Sequence, residues 1–363
     1  MNLSRLESLL DSRSRFVRGL LAASSCVYCA GQWMDARRTE ARLRRGVWPE
    51  RLPVPVISLG NIVAGGVGKT PLVEAIARAA IARGRRPGIL SRGYRAKSGQ
   101  RNDEALLLER RLDAVPHIQD PNRCRGGRAL LERFPDVDLI LLDDGFQHRR
   151  LHRDVDLVVL DATRPFGLGH LLPRGRLREP WRALDRATGF VVTRREDVSK
   201  HKGVILDTLL RQHWSTKQLH FARTVIEGVR DLSGGDAKVP GRRVFAFAGV
   251  GNPHAFYGTV RRFDLDVVGS RSFPDHHRYR RRDWSELTEV ARRSGASALI
   301  CTEKDGVKLE PLLRGGPIEV PLLQLRMRFE LDAGAILDDL DVRRERESAR
   351  HRAPSGHNSR RDA

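Results

Sequence analysis

A glycine-rich run that ends in lysine and threonine is the part of the sequence best suited to hold a phosphate. It reads Gly60-Asn61-Ile62-Val63-Ala64-Gly65-Gly66-Val67-Gly68-Lys69-Thr70-Pro71. Glycines let the backbone curl so that several N–H groups point at phosphate oxygens. In such a loop Lys69 bridges the β- and γ-phosphates of a nucleotide, and Thr70 is a ligand of Mg²⁺. The predicted nucleotide contacts are Gly65, Gly66, Val67, Gly68, Lys69 and Thr70.

One position of this run departs from the general phosphate-loop pattern. That pattern has glycine five residues before Gly68, where this chain has Val63. The run instead resembles the GGxGKT loops of a related P-loop branch, which often carries lysine at the position of Ala64. A glycine-rich turn without a ligand is the alternative. The position of the run between a predicted strand and a predicted helix favours nucleotide binding.

A pair of aspartates follows an apolar run further along the chain. Asp143 and Asp144 come directly after the run 138–142 and precede Gly145. Carboxylates at the carboxyl end of a parallel strand lie beside a phosphate loop, where they hold Mg²⁺ directly or through water. A surface Asp-Gly turn is the alternative. We expect Asp143 and Asp144 to share the metal with Thr70.

Strand-like and helix-like segments alternate after residue 53, which predicts a largely parallel sheet covered by helices. The first alternation comprises 54–59, 70–83, 88–90, 137–142, 155–160 and 190–193. A second begins near Arg243 and comprises 244–248, 254–263, 266–269, 283–294 and 298–302. The predicted domains are therefore an N-terminal helical segment (1–50), a P-loop core (51–200), a linker (201–242), a smaller α/β lobe (243–341) and a disordered basic tail (342–363).

Composition limits the partners without selecting one. The formal net charge is +21, which attracts polyanions such as nucleic acid, anionic lipid and phosphorylated substrates. Four cysteines in 363 residues are no disulfide framework, so we expect a reducing compartment. Cys26 and Cys29 form a lone CxxC pair. Metal or redox use is one interpretation of this pair, and buried small residues are the favoured one.

The N-terminal segment carries a short apolar run between arginines. The run 20–30 falls short of the roughly 20 apolar residues that cross a bilayer. A cleaved signal peptide, a helix in the lipid headgroup region and a helix packed on the protein's own core all fit this pattern. A cleaved signal conflicts with a site for ATP, which is cytosolic.

Several motifs together resemble the tetraacyldisaccharide 4'-kinase (lipid A 4'-kinase) family, in the family's order from about residue 53 to 310. They are Ser91-Arg92-Gly93-Tyr94, Asp143-Asp144-Gly145-Phe146-Gln147-His148, Asp161-Ala162-Thr163-Arg164-Pro165-Phe166-Gly167, Leu171-Leu172-Pro173-Arg174-Gly175-Arg176-Leu177-Arg178-Glu179-Pro180, Phe247-Ala248-Gly249-Val250-Gly251-Asn252-Pro253, Phe273-Pro274-Asp275-His276-His277-Arg278-Tyr279 and Thr302-Glu303-Lys304-Asp305.

This resemblance implies an enzyme that uses ATP and Mg²⁺ to phosphorylate the 4'-hydroxyl of lipid A disaccharide 1-phosphate. It implies two α/β lobes with the site between them. It also implies an N-terminal helical region that docks peripherally on the cytoplasmic face of the bacterial inner membrane, which favours the interfacial interpretation above. The substrate contacts that it implies are Asn61, Arg92, Gln147, His148, Arg178 and Glu179.

The same resemblance assigns a general base. The family's GDE element corresponds to Asn102, Asp103 and Glu104, which makes Asp103 the residue that accepts the proton of the sugar hydroxyl. His276 or His277 orients it, with His276 favoured. The expected catalytic residues are thus Asp103, His276, His277 and Lys69. This chain departs from the family pattern at two points: Asn102 replaces the glycine, and the segment 94–103 is short.

Three other functions fit parts of the sequence. The first is a GTP-dependent switch or metal-insertion chaperone of the same P-loop branch. Guanine-binding proteins carry an N/T-K-x-D element, and the lysine of Thr302-Glu303-Lys304-Asp305 stands one position late, which counts against GTP. The second is a basic nucleic-acid-binding ATPase, but no aromatic-rich or zinc module is visible, so no nucleic-acid partner is expected. The third is a membrane adaptor without catalysis, against which Lys69 and the paired aspartates argue.

Overall fold

The computed structural model describes residues 15–93, 101–315 and 318–352, and these form eleven strands and nine α-helices. The strands are β1 (Val56–Gly60), β2 (Pro87–Ser91), β3 (His117–Gln119), β4 (Leu139–Asp143), β5 (Val155–Asp161), β6 (Gly189–Thr193), β7 (Gln218–Arg230), β8 (Arg243–Ala248), β9 (Asp266–Ser272), β10 (Ala298–Thr302) and β11 (Leu322–Glu330). The helices are α1 (Arg15–Arg44), α2 (Lys69–Ala82), α3 (Asp103–Arg111), α4 (Arg123–Arg133), α5 (Lys200–His213), α6 (Pro253–Arg262), α7 (Arg281–Arg293), α8 (Glu303–Leu313) and α9 (Ala333–Arg352).

All eleven strands belong to one sheet in the order β3-β2-β4-β1-β5-β6-β7-β11-β10-β8-β9. Strands β1 to β6 are mutually parallel and, with the helices around them, form what we call the first lobe. Strands β8 to β11, also mutually parallel, form the second lobe with α6, α7 and α8. The predicted fold class, a parallel sheet covered by helices with a second α/β lobe, is confirmed.

The predicted linker over 201–242 is wrong, because this region contains α5 and the 13-residue strand β7. The first part of β7 pairs in parallel with β6 up to Ala222. The remainder, from Arg223 to Arg230, pairs antiparallel with β11. One strand therefore joins the two lobes into a continuous sheet.

Apolar strands explain the core of the first lobe. Strands β1, β4 and β5 are buried along their whole length, as expected for strands covered on both faces. Helix α2 buries Leu72 and Ile76 at helical spacing against them. This packing places the loop before α2 at the carboxyl edge of the sheet.

The predicted disorder of the tail is also wrong for residues 342–352, which continue α9. The helix begins with residues that share the apolar core of the first lobe, among them Ile336, Leu337 and Leu340. Its polar part is then held by ion pairs, including Arg343 with Asp339 at 2.7 Å. Residues 353–363 lie outside the described part of the chain. The C-terminal helix thus returns to the first lobe, although its residues up to 341 were predicted in the second.

Helix α1 lies on the surface, and contacts along part of its length attach it to the first lobe. The Ser25 hydroxyl donates to the carbonyl of Leu171 at 3.1 Å, and the Tyr28 hydroxyl donates to the carbonyl of Arg178 at 3.0 Å. Cys26 and Cys29 are exposed, which corrects the favoured interpretation that they are buried. Within the described residues, no helix has the length and apolarity needed to cross a membrane.

Candidate active site

The glycine-rich run forms the loop between β1 and α2. Gly68 adopts φ +90°, in the left-handed region that favours glycine. The ring of Phe329 packs so closely against Gly68 that a Cβ at this position would overlap the ring. Lys69 Nζ lies 3.2 Å from Asp144 Oδ1 and 3.3 Å from Asn61 Oδ1. The loop and the first residues of α2 line a cleft, where backbone N–H groups and a helix N-terminus suit an anion.

The paired aspartates end β4 beside this loop. Asp143 is buried, and burial together with the charge of Glu104 raises its pKa to about 7. Its Oδ1 atom has no hydrogen-bond partner among the described residues. Burial alone would also raise the pKa of Asp144, but the Lys69 ammonium and the Arg178 guanidinium outweigh it and hold that pKa well below its usual range. Two adjacent carboxylates therefore differ strongly in proton affinity.

Side chains of the DDGFQH and LREP motifs meet next to the aspartates. Arg178 Nη1 lies 3.1 Å from Asp144 Oδ2. The Gln147 amide donates to the backbone carbonyl of Asn61 at 2.8 Å and to Glu179 Oε1 at 2.9 Å. Glu179 also pairs with Arg186 at 2.8 Å. Four of the six predicted substrate residues thus form one connected group around Lys69.

The proposed base and its histidine come from different lobes. Asp103 is the first residue of α3, and the Asn102 side chain caps this helix by accepting from Ala105 N at 3.0 Å. His276 follows β9 in the second lobe with φ +60°, and its Nδ1 lies 3.0 Å from Asp103 Oδ1. His277 instead places Nε2 3.1 Å from Asp283 and stacks on Phe273. The structure therefore brings His276, and not His277, to Asp103.

The charges around Asp103 favour its ionised form. Burial would raise the pKa of this carboxyl, but the hydrogen bond to His276 and the charges of Lys304, His276 and Lys308 outweigh burial and lower the pKa well below the usual range. A carboxylate that is deprotonated at neutral pH can accept a proton from a hydroxyl group. The substitution of Asn102 for glycine is accommodated, because asparagine is a favoured N-cap. Residues 94–100 of the short 94–103 segment lie outside the described part of the chain.

A cavity of about 1100 Å³ joins these groups. The phosphate loop, Asp144 and His276 line it, as do Arg92 and His148. Burial, followed by the charge of Arg123 and other arginines, lowers the pKa of His148 to about 4, so that its imidazole is neutral at pH 7. The predicted substrate residues Arg92 and His148 therefore lie on the same cavity as the phosphate loop.

Arg123 is a cavity residue that the sequence analysis missed. It is the first residue of α4, its side chain is buried, and its Nη1 donates to the carbonyl of Pro121 at 2.8 Å. The preceding Asn122 caps α4 and accepts from Cys124 N and Arg125 N. An asparagine before a helical stretch was the signal that could have placed Arg123 at a helix N-terminus facing the site.

A loop of the second lobe covers the phosphate loop. The backbone of Gly251 approaches Gly65 and Gly66 so closely that a Cβ on Gly251 would overlap both. The neighbouring Asn252 amide donates to Asp161 Oδ2 at 3.1 Å. The arrangement combines an anion cradle, buried carboxylates and a carboxylate–imidazole pair within one interlobe cleft, which suits the transfer of a phosphoryl group to a hydroxyl.

Comparison with known proteins agrees with this chemistry. The family described as tetraacyldisaccharide-1-P 4'-kinase matches residues 18–343. This chain belongs to that family. It is 40% identical over 306 residues to the tetraacyldisaccharide 4'-kinase of Anaeromyxobacter sp. strain Fw109-5, with 78% of this chain and 80% of the relative covered. It is 38% identical over 321 residues to that of Syntrophus aciditrophicus, with 81% and 84% covered.

A solved structure extends the similarity to three dimensions. The kinase matches the crystal structure of LpxK from Aquifex aeolicus in complex with ATP with a TM-score of 0.66 and 28% identity. The match covers 90% of this chain and 99% of the other. The kinase is therefore a phosphotransferase with the family's two-lobed architecture, and the switch, nucleic-acid and adaptor interpretations are not favoured.

Proposed function

We propose that this kinase transfers the γ-phosphate of ATP to the 4'-hydroxyl of lipid A disaccharide 1-phosphate. The observation that carries the proposal is that the phosphate loop and His276 line one cavity, and that His276 contacts Asp103 at 3.0 Å across the lobes. The names of the relatives, and the ATP in the Aquifex structure, support the choice of acceptor and donor.

The residues beside Lys69 fit a magnesium ion. The ligands would be Thr70, Asp143 and Asp144, which offer a hydroxyl and two carboxylates, the oxygen donors that Mg²⁺ prefers. The buried Asp143 Oδ1, which lacks a hydrogen-bond partner among the described residues, is the atom whose desolvation a cation would offset. When bound, Mg²⁺ neutralises charge on the β- and γ-phosphates.

In the proposed transfer the protein accepts one proton, orients groups and stabilises charge. Asp103 accepts the proton of the 4'-hydroxyl as that oxygen bonds to the γ-phosphorus and the bond to the β-phosphate oxygen breaks, leaving ADP. His276 orients the carboxylate through its Nδ1 contact. Lys69 and the loop N–H groups stabilise the charge on the transferring group. The proton leaves later from Asp103 to solvent.

Cationic and polar side chains on the same cavity suit a phosphorylated sugar. Arg92, Arg123 and His148 lie on its wall with Arg178. Arginine is well suited to phosphate because its planar fork donates two parallel hydrogen bonds. We assign these residues, with Asn61, Gln147 and Glu179, to the acceptor disaccharide and its 1-phosphate.

Helix α1 suits docking on an anionic lipid surface. Val27, Trp33 and Met34 are at least half exposed, and the exposed Arg37 guanidinium lies 3.9 Å above the Trp33 ring. Apolar and aromatic side chains beside arginine favour the headgroup region of a membrane. Val27 and Tyr28 also line the catalytic cavity. The helix would thus deliver a lipid substrate to the site from the cytoplasmic face of the inner membrane, where the kinase would be peripheral.

A transfer assay in detergent micelles tests this function. Wild type should form the 1,4'-bisphosphate from ATP, with ³¹P NMR placing the new phosphate on the 4'-oxygen, and GTP should be a poor donor. Lys69→Met should lower the rate about 100-fold or more, because the loop loses its phosphate-bridging charge. Lys202→Met, an exposed lysine of α5, is the matched control. A folded wild type that binds ATP but forms no bisphosphate would refute the acceptor assignment.

A further inference from the structure

The Thr302-Glu303-Lys304-Asp305 motif has no part in the mechanism above, yet several hydrogen bonds hold it in place in the second lobe. Thr302 caps α8, and its hydroxyl lies 2.7 Å from Asp305 Oδ2. Asp305 is fully buried and also accepts from Gly249 N and the Tyr279 hydroxyl, each at 3.0 Å. These bonds fix the first turn of α8, and therefore the starting point of the Lys304 side chain.

Lys304 extends from this turn to three carboxylates that belong to both lobes. Its Nζ atom lies 3.0 Å from Glu104 Oε1 and 3.8 Å from Asp103 Oδ2, both on α3 of the first lobe. It lies 3.6 Å from Asp275 Oδ1 in the second lobe. Only 15% of the Lys304 side chain is exposed, so solvent screens these interactions weakly. The Lys304 ammonium group therefore lies within 4 Å of the proposed base Asp103, of the adjacent Glu104 and of Asp275.

The adjacent Glu303 makes a parallel connection. It pairs with Arg111 at the end of α3, and Arg111 also pairs with Glu74 of α2 at 2.7 Å. The Arg111 side chain is 6% exposed. Two consecutive residues of the motif thus tie α8 to both ends of α3, and through Arg111 to the helix that follows the phosphate loop.

Electrostatics explain what Lys304 would do for the base. Asp103, Glu104 and Asp275 would repel one another across the cleft without a cation between them. Burial lowers the pKa of Lys304, but the charges of Glu104, Asp275 and Asp103 outweigh burial and raise it, so the ammonium form persists at neutral pH. Lys308 stands behind it, 2.8 Å from Asp305 and 3.9 Å from Asp103, and does not reach Glu104 in this arrangement.

We propose that Lys304 is a positioning residue, which gathers Asp103, Glu104 and Asp275 around one charge and so holds the base against His276 across the boundary between the lobes. The inference rests on the proposed role of Asp103 as the general base. It gives the Thr302–Asp305 motif a role in assembling the site across the lobe boundary. Lys304 acts through Asp103, and it need not touch either substrate.

Kinetic separation of binding from turnover tests the proposal. In full-length Lys304→Met, kcat for bisphosphate formation should fall about 100-fold, since a misplaced catalytic group costs this much. KM for ATP and the Kd of a non-hydrolysable ATP analogue should stay within twofold of wild type. Lys304→Arg keeps the charge, and its kcat should be at least tenfold higher than that of Lys304→Met. Lys202→Met should match wild type throughout. An unchanged kcat, or a Kd for the analogue raised well beyond twofold, would overturn the proposal.

Two further variants separate a failure of the Lys304 role from a failure of the base assignment or of folding. Asp103→Asn is measured beside Lys304→Met: wild-type turnover in Asp103→Asn means that the base assignment has failed, whereas loss there with normal turnover in Lys304→Met means that only the role of Lys304 has failed. If Lys304→Met does not fold, Glu104→Gln removes the nearest of the three carboxylates from a partly exposed position. Its kcat should fall about tenfold with ATP affinity unchanged, and a wild-type kcat would count against the proposal.

Discussion

The half-buried His117 illustrates how a single residue links the stability of this structure to pH. His117 in β3 lies 2.8 Å from the Ser91 hydroxyl, and burial, with the charge of Arg101, lowers its pKa to about 4. The unfolded chain has a histidine pKa near 6.5. Between these values the unfolded state binds more protons than the folded state, so acidification removes stability.

We therefore expect the free energy of unfolding to fall between pH 6.5 and 4, with His117 contributing about 2 kcal/mol of that loss. Urea unfolding at pH 7.0, 5.5 and 4.5 should show a shallower fall for His117→Asn than for wild type. Exposed His201→Asn serves as the control and should follow wild type. Parallel pH curves for His117→Asn and wild type would contradict the assigned pKa.

The choice between His276 and His277 shows the limit of sequence reasoning for single residues. The two are adjacent, and both precede a helix rich in charge. Which imidazole meets Asp103 depends on the left-handed backbone at His276 and on a carboxylate, Asp283, that takes the other. Neither is visible in a residue pattern. The proximity of Lys69 and Asp144 was predictable, because a GGxGKT loop and an aspartate at the end of a parallel strand lie at the same edge of the sheet.

Elements with continuous apolar runs were predicted closely. Strand β10 has the predicted bounds, and β1 differs by two residues at one end and one at the other. Strand β7 was missed because few of its residues are buried, so it shows no apolar run. Helix α9 was not predicted at all, and its polar part beyond residue 341 depends on the buried turns before it. In both cases tertiary packing, and not local composition, decides the structure.

The anchoring of α9 can be tested by substitution in its buried half. Leu337 is fully buried with Ile57 and Leu72 in the same core. Leu337→Ala should lower the free energy of unfolding by about 2–5 kcal/mol, because it leaves a cavity. Arg346→Ala, on the exposed part of the helix, should change it by less than about 0.5 kcal/mol. Equal effects of the two substitutions in urea unfolding would show that α9 is not part of the core.

The proposed docking role of α1 gives a prediction for vesicle binding. Replacing the exposed Trp33 and Met34 by serine should weaken co-sedimentation with anionic phosphatidylglycerol vesicles at least fivefold, because apolar anchors are lost. The control replaces Val204 and Ile205, two adjacent exposed apolar residues of α5, by serine. Wild-type binding should also weaken as salt rises from 0.05 to 0.5 M, since arginines contribute. Loss of binding in the control alone would place the docking surface elsewhere.

At the scale of the whole molecule, one sheet carries both lobes and the site lies where they meet. Strand β7 connects them by backbone hydrogen bonds, while Lys304, His276 and Gly251 of the second lobe approach the first lobe across the cleft. The sequence predicted two α/β lobes from two alternations. It did not predict their common sheet, because pairing between distant strands depends on which edges remain open after each lobe forms.

The arrangement that matters most for the proposed activity is therefore a carboxylate of the first lobe meeting an imidazole of the second. Two neighbouring histidines each have a carboxylate partner, Asp103 for His276 and Asp283 for His277. These two pairs supply a test with an internal control, because Asp103→Asn and Asp283→Asn each remove one carboxylate charge from beside one histidine.

The decisive measurement is the initial rate of 4'-phosphorylation of lipid A disaccharide 1-phosphate by ATP in micelles, for wild type, Asp103→Asn and Asp283→Asn. We predict a loss of about 10²–10⁴-fold for Asp103→Asn, the usual range for a general base, and a rate within threefold of wild type for Asp283→Asn. ATP affinity should be unchanged in both. Equal rates for Asp103→Asn and wild type would contradict the account of the site.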